Sequence, residues 1–218
     1  MQQQRGMQQF LQFVLGFCLI SFLSGGCARM PYTTKVIHKD PRVAVSLQEE
    51  VTPAGYTHPV TIDPQQLTTI LRGFSLREEQ RLPLRWFAEE APPKVVFRED
   101  ELAVLVFQLS EGLGAASPEE RVHFELFAPG NNPAEERDVT AGWIAVKDPY
   151  LYFNIEYFHV IVPSRKIDNY YMNYPLMPPL PKNYLLFFEP GRFWVDQQGT
   201  RVLNYREFLR TTPLKPAG

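Results

Sequence analysis

Gly142-Trp-Ile-Ala-Val-Lys147, then Asp148-Pro149, then Tyr150-Leu-Tyr-Phe-Asn-Ile-Glu-Tyr-Phe-His-Val-Ile-Val162 is the stretch that decides the fold class. Two runs of β-branched and aromatic side chains flank a short turn signal, which predicts a long antiparallel hairpin. Upstream, Lys35-Val-Ile-His38 and Arg42-Val-Ala-Val-Ser-Leu47 surround Lys39-Asp40-Pro41 and predict a second, shorter hairpin. The shared Lys-Asp-Pro leaves a two-copy fold open, although two similar turns arising independently is the favoured reading. Downstream, Leu185–Phe188, Phe193–Val195 and Val202–Leu203 are separated by Pro190-Gly191 and Gln198-Gly199, and read as strands of a meander.

Helical signals concentrate in the first half. Asp63-Pro64-Gln65-Gln66 supplies a cap, a proline at the first helical position and a glutamine to complete a capping box, with Leu67, Ile70 and Leu71 on one face and Gly73 at the end. Leu102, Leu105, Val106, Leu109 and Leu113 recur at helical spacing and predict a second helix over about residues 98–113. Ser117-Pro118-Glu119-Glu120 predicts one helical turn feeding the strand Val122–Phe127. The segment Leu76–Arg81 reads as a solvated helix face, on which the neighbours Glu78 and Glu79 point in different directions. The expected class is therefore α+β, a mostly antiparallel sheet with two or three short helices in the N-terminal half.

The amino terminus addresses location. Arg5 precedes the apolar run from Phe10 to Leu23, the small residues Ser24-Gly25-Gly26 and then Cys27. Basic start, apolar core and small-residue exit are the parts of a secretory signal, and the run is shorter than the roughly 18 apolar residues of a spanning helix. Ending on cysteine, it resembles the bacterial lipobox, which implies a signal at 1–26, acyl chains on Cys27 and a membrane anchor strong enough to hold the protein. Leu23 stands one place further from the cysteine than the commonest lipobox has it. Residues 27–34 then read as a lipidated tether, 35–210 as one α+β domain and 211–218 as a tail. By similarity to enterobacterial sorting, Ala28, not being aspartate, implies delivery to the outer membrane, on the periplasmic side of the cell envelope.

Composition excludes several functions. The formal net charge of −2 and the lack of basic clusters provide no electrostatic footprint for nucleic acid. Cys18 falls within the signal and Cys27 takes the lipid, so no thiol remains for a disulfide, for catalysis or for a metal. Signature motifs of serine hydrolases, zinc peptidases and nucleotide-binding loops are missing. His38, His58, His123 and His159 are too scattered for a local metal site and read as structural. No catalytic residue, metal or cofactor is expected.

Two segments are candidate partner-binding surfaces. Arg81-Leu-Pro-Leu-Arg85-Trp86-Phe87 joins arginine and tryptophan, residues enriched at interface hot spots, within a proline-limited stretch; its apolar members equally suit a core plug. The loop at 163–182 carries Tyr170, Tyr171 and Tyr174 among five prolines, and rigid aromatic area of this kind docks at low entropic cost; covering a sheet edge is the competing role.

Lys35-Val-Ile-His-Lys-Asp-Pro-Arg-Val, His58-Pro-Val, Leu71-Arg-Gly and Arg81-Leu-Pro-Leu-Arg-Trp-Phe together resemble a group of uncharacterised bacterial lipoproteins over about residues 20–125. The resemblance implies a lipid-anchored envelope protein and carries no functional residue with it. The expected function is a non-catalytic adaptor or accessory subunit of an envelope assembly. The alternatives are a binding lipoprotein for a hydrophobic or glycan ligand, with Trp143, Tyr150, Tyr152 and Trp194 near the site, and, less favoured, an enzyme of unrecognised type.

Overall fold

The computed structural model describes residues 31–79, 91–163 and 183–212. In chain order, β1 (Tyr32–Lys39) and β2 (Val43–Glu49) form a hairpin, followed by α1 (Pro64–Arg72), β3 (Phe74–Glu78), β4 (Lys94–Val95) and α2 (Glu99–Ala115). β5 (Glu120–Pro129), β6 (Glu136–Lys147) and β7 (Tyr150–Pro163) come next, then β8 (Tyr184–Phe188), β9 (Trp194–Gln197), β10 (Thr200–Asn204) and α3 (Tyr205–Thr211). Seven strands make one antiparallel sheet in the order β1-β2-β5-β6-β7-β10-β9, and β4-β3-β8 make a second. The fold is mainly β, of α+β type. Among the described residues no helix is long and apolar enough to cross a membrane.

The long hairpin forms as β6 and β7, with Lys147 opposite Tyr150 across Asp148-Pro149. In the first hairpin Lys39 pairs with Ala44, leaving residues 40–43 in a wider turn in which the Asp40 carboxylate accepts from the backbone N–H groups of Arg42 and Val43. The Asp148 carboxylate instead leaves its own turn and accepts from Tyr205 and Arg206 of α3, at 2.9 and 2.7 Å. One tripeptide thus closes two turns of different size and with different partners. Pairing in β1 reaches back to Tyr32, inside the stretch 27–34, and Thr33 is buried.

Both predicted helices form. The Asp63 side chain accepts from Gln65 N–H at 2.8 Å while the Gln66 side chain accepts from Asp63 N–H, so α1 starts with both halves of its cap. Gly73 lies at φ −72°, an ordinary right-handed geometry, so its role is not a left-handed cap. A Cβ there would come within 2.5 Å of the Phe188 ring, and close packing against β8 is what requires glycine. Gly112 does not end α2, which runs on to Ala115; there the missing side chain lets the helix lie against Val122 of β5.

The core lies on one face of the large sheet. Val45, Leu47, Val122, Phe124, Ile144, Leu151 and Phe153 pack against Leu105 and Leu109 of α2 and against Phe74 and Phe188 of the small sheet. Phe74 is its aromatic centre, 4.4 Å from Phe153, 4.9 Å from Phe188 and 5.4 Å from Trp194 between ring centroids.

Four expectations are corrected. The helices are not confined to the first half: Asn204 caps α3 by accepting from Glu207 N–H, and Tyr205 and Phe208 bury its inner face. Residues 74–78 are strand β3, with Phe74 and Leu76 buried and pairing with β8, so the charges of Arg77 and Glu78 belong to a strand and not to a helix face. Strand β8 consequently leaves the expected meander for the second sheet, and only β9 and β10 continue the first. Ahead of β5, Ser117–Glu120 makes a single hydrogen-bonded turn, with Glu120 N–H to Ser117 O at 3.1 Å, in place of a helical turn.

Candidate functional site

The second face of the large sheet carries a sheltered ionic network. In register, Gln48 of β2 lies opposite Arg121 of β5, Ser46 opposite His123, and His123 opposite Trp143 of β6. Strand alternation sends all of these away from the core. Arg121 is 8% exposed, His123 3% and Gln48 1%, so a charge and two polar groups sit in shelter on a surface that a simple in-out pattern would leave wet.

A β-bulge supplies their counter-charge. Gly142 pairs with Ile155 and Ala141 with Tyr157, which leaves Glu156 as the extra residue in β7. A bulge re-aims side chains, and here it turns both Glu156 and Tyr157 to the second face. The Glu156 carboxylate accepts from Arg121 Nη2 at 3.3 Å through one oxygen and meets His123 Nε2 at 3.1 Å through the other. These contacts cross β6, where Ala141 and Ala145 are small enough to leave a path on either side of Trp143.

Arg121 is engaged on every side. Its Nε and Nη2 donate to Gln48 Oε1 at 3.1 and 3.0 Å, Nη1 lies 3.8 Å from Glu50, and the guanidinium stacks 5.0 Å from the Trp143 ring. Glu50 in turn accepts from the Tyr56 hydroxyl at 2.9 Å, and Tyr56 stacks on His58 and tilts against Tyr152. Burial works to raise the Glu156 carboxyl, but the His123 hydrogen bond and the charges of His123 and Arg121 outweigh it and hold the group below the usual carboxylate range. Burial, reinforced by Glu50, pushes the Tyr56 phenol far up, so that it stays a hydrogen-bond donor. At neutral pH the cluster is an ionised carboxylate locked between a guanidinium and an imidazole. It is suited to holding a surface rigid and unsuited to supplying a proton.

Beside the network, Trp143, Tyr150, Tyr152 and Asn154 are half-buried. Trp143 pairs with Asn154 and Ala145 with Tyr152, which puts them on the second face in adjoining strands. Further along, Val139, Ala141 and Val162 form a small apolar cluster with Phe127, Tyr157 and Val160. Trp194, expected near Trp143, Tyr150 and Tyr152, is instead buried in the main core against Phe74. The aromatic set therefore divides between the two sides of the sheet.

Cys27, Arg81, Arg85, Trp86, Tyr170, Tyr171 and Tyr174 lie outside the described residues. The histidines all have partners: His38 with Asp40 at 2.9 Å, His123 with Glu156, His159 with Asp138 at 2.9 Å, and His58 with two backbone groups. Among the described residues no group of His, Cys, Asp and Glu is placed to hold a metal. Sequence reasoning missed Gln48, Glu50, Arg121 and Glu156. Their one visible signal was the strongly polar alternate positions in Arg121-Val-His-Phe-Glu-Leu126, which a solvated strand face also shows. No protein-family model, curated protein or solved structure matches the chain.

Proposed function

We propose that the protein is a lipid-anchored, non-catalytic envelope protein, held at the outer membrane by acyl chains on Cys27, that serves as an adaptor or accessory subunit through the Trp143–Tyr152 side of its second sheet face. The observation that carries the binding role is the closure of the Arg121 network on itself. With Gln48, Glu50, Glu156 and Trp143 all engaging one guanidinium, the bed under the half-buried aromatics is pre-organised, and pre-organised aromatic surface loses little entropy on docking. Arg81, Arg85, Trp86, Tyr170, Tyr171 and Tyr174 remain proposed partner-binding residues.

The test has two arms. Metabolic labelling with a palmitate analogue should mark the wild type and not Cys27→Ser, which should also leave the membrane fraction. A photo-crosslinking residue in place of Trp143 should give one discrete adduct in intact cells, and the same residue at exposed Phe107 of α2 should not. Label on Cys27→Ser, or no adduct specific to position 143, counts against the reading.

A glycan-binding role is the second reading, favoured by Asn154 opposite Trp143 and next but one to Tyr152, since stacking rings beside a polar side chain suit a sugar. The convergence of Glu156 with His123, and the placement of Ser46 opposite His123, is what an enzyme reading would use. His123 is 3% exposed and Glu156 is bound to Arg121, which keeps the pair away from a substrate.

A further inference from the structure

His58 sits where the β5–β6 ladder ends. β5 and β6 pair Val122 with Ile144, and two positions further along the register would set Glu120 opposite Val146. No direct bond closes that step. The imidazole of His58 fills it, with Nδ1 2.8 Å from the Glu120 carbonyl and Nε2 2.9 Å from the Val146 N–H. A carbonyl can only accept and an amide N–H can only donate, so the ring must carry its proton on Nδ1 and none on Nε2. It is neutral and 4% exposed.

This ring fastens the crossing segment 50–63. Tyr56 N–H bonds Pro118 O at 2.9 Å, Thr57 N–H bonds Val146 O at 2.7 Å and Val60 N–H bonds Leu113 O at 3.0 Å. Asp148 N–H donates to the Thr57 hydroxyl, and Ala54 N–H to the Glu119 carboxylate. The segment carries Glu50 and Tyr56, which cover one end of the Arg121 network and stack toward Tyr152.

We propose that His58 is an acid-sensitive latch: protonation puts an N–H on Nε2 against the Val146 N–H, the ladder step opens, and residues 50–63 lift off to uncover Tyr152 and the Glu50 side of Arg121. Two donors cannot share that contact, so the protonated ring has to leave it. Burial lowers the group below its ordinary value of 6.5, against the opposing pull of its bonds to Glu120 and Ser117 and of the Glu120 charge. The charged and titratable groups around the latch are Glu120 and Arg121 from β5, Glu119 from the turn before it, Asp148 from the β6–β7 turn, and Glu50 and Tyr56 from the segment itself. From β6 the ring's hydrogen-bond partner is the N–H of the uncharged Val146.

The experiment is hydrogen exchange of the full chain at pH 7.5 and 5.5, corrected for intrinsic rates, on the wild type and on His58→Gln. Glutamine can both accept and donate at this position and does not titrate. Linkage to one histidine allows a loss of protection of up to about tenfold over that unit of pH below the unfolded value. A several-fold loss confined to 50–63 and residues 118–122 is expected in the wild type and none in His58→Gln. An equal loss in both proteins, or none in the wild type, overturns the latch. Long-range nitrogen–proton NMR of the wild type gives an answer even where the variant does not fold. It should show a ring protonated on Nδ1 that gains its second proton together with a shift of the Val146 amide, and a ring protonated on Nε2 at neutral pH overturns the assignment.

Discussion

Arg121 and Glu156 meet across an intervening strand: the guanidinium of β5 passes over β6 and reaches the carboxylate of β7 at 3.3 Å. The contact exists because β7 carries one residue more than its partner at this point and because β6 offers alanines beside the path. Removing one member strands the others. Glu156→Ala leaves the buried His123 imidazole without its acceptor and the Arg121 guanidinium dependent on Gln48 and Glu50, a milder form of the change that costs about 3–5 kcal/mol when a fully buried pair is broken. Glu156 is about a quarter exposed, so about 2–3 kcal/mol is expected after solvent screening. Urea unfolding of Glu156→Ala, Arg121→Met and the double variant should give a double loss well short of additive, and additivity would mean that the residues do not act as a pair.

The acid limb of stability follows from the same carboxylate. Its folded pKa lies below the ordinary 4.5, so the unfolded chain binds the proton more readily. The stabilisation is therefore complete above about 4.5 and is lost as pH falls through the folded value. Glu156→Gln should flatten this part of the stability-against-pH curve while lowering the plateau at neutral pH. An unchanged acid limb in denaturant titrations between pH 3 and 6 would show that another group carries it.

Two glycines should respond in opposite directions to alanine. At Gly73 the new Cβ meets the Phe188 ring at 2.5 Å and forces β8 or the ring to shift, a loss of about 1–3 kcal/mol. At Gly114, in the last turn of α2, nothing lies within 4 Å, and alanine should add roughly 0.5 kcal/mol through helix propensity. Midpoints from chemical unfolding rank the two, and a stabilised Gly73→Ala would contradict the close approach of β8.

The cap of α1 provides the fourth test. Asp63→Ala removes the acceptor for Gln65 N–H and should cost about 1 kcal/mol. Asp63→Asn, which keeps an acceptor, should recover most of the loss in the same thermal or urea assay. A loss equal in both variants would assign the effect to charge instead of capping.

What the chain's own pattern determined, and what it left to the tertiary structure, divides by the range of the interaction. The hairpin 142–162, the capped helix from Asp63 and the helix through Leu102 to Leu113 were legible because each depends on neighbours within a few residues: alternation, a cap, a helical stripe. The common face of Trp143 and Tyr152 follows from the same alternation. Strand β3 was not legible, since five residues with Arg77 and Glu78 among them hold too little alternation to outweigh a helical reading, and it becomes a strand by pairing with β8, more than a hundred residues away. The candidate network depends on register. Gln48, Arg121, His123 and Glu156 come from three strands, and they converge only because a bulge at Glu156 turns that carboxylate to their face and Ala141 and Ala145 leave the way open. His58 likewise reads as an isolated histidine before a proline until the folded sheet presents a carbonyl and an amide on either side of its ring. Local periodicity encodes which elements form, whereas the meeting of charges across strands is decided by pairing offsets that no single segment contains.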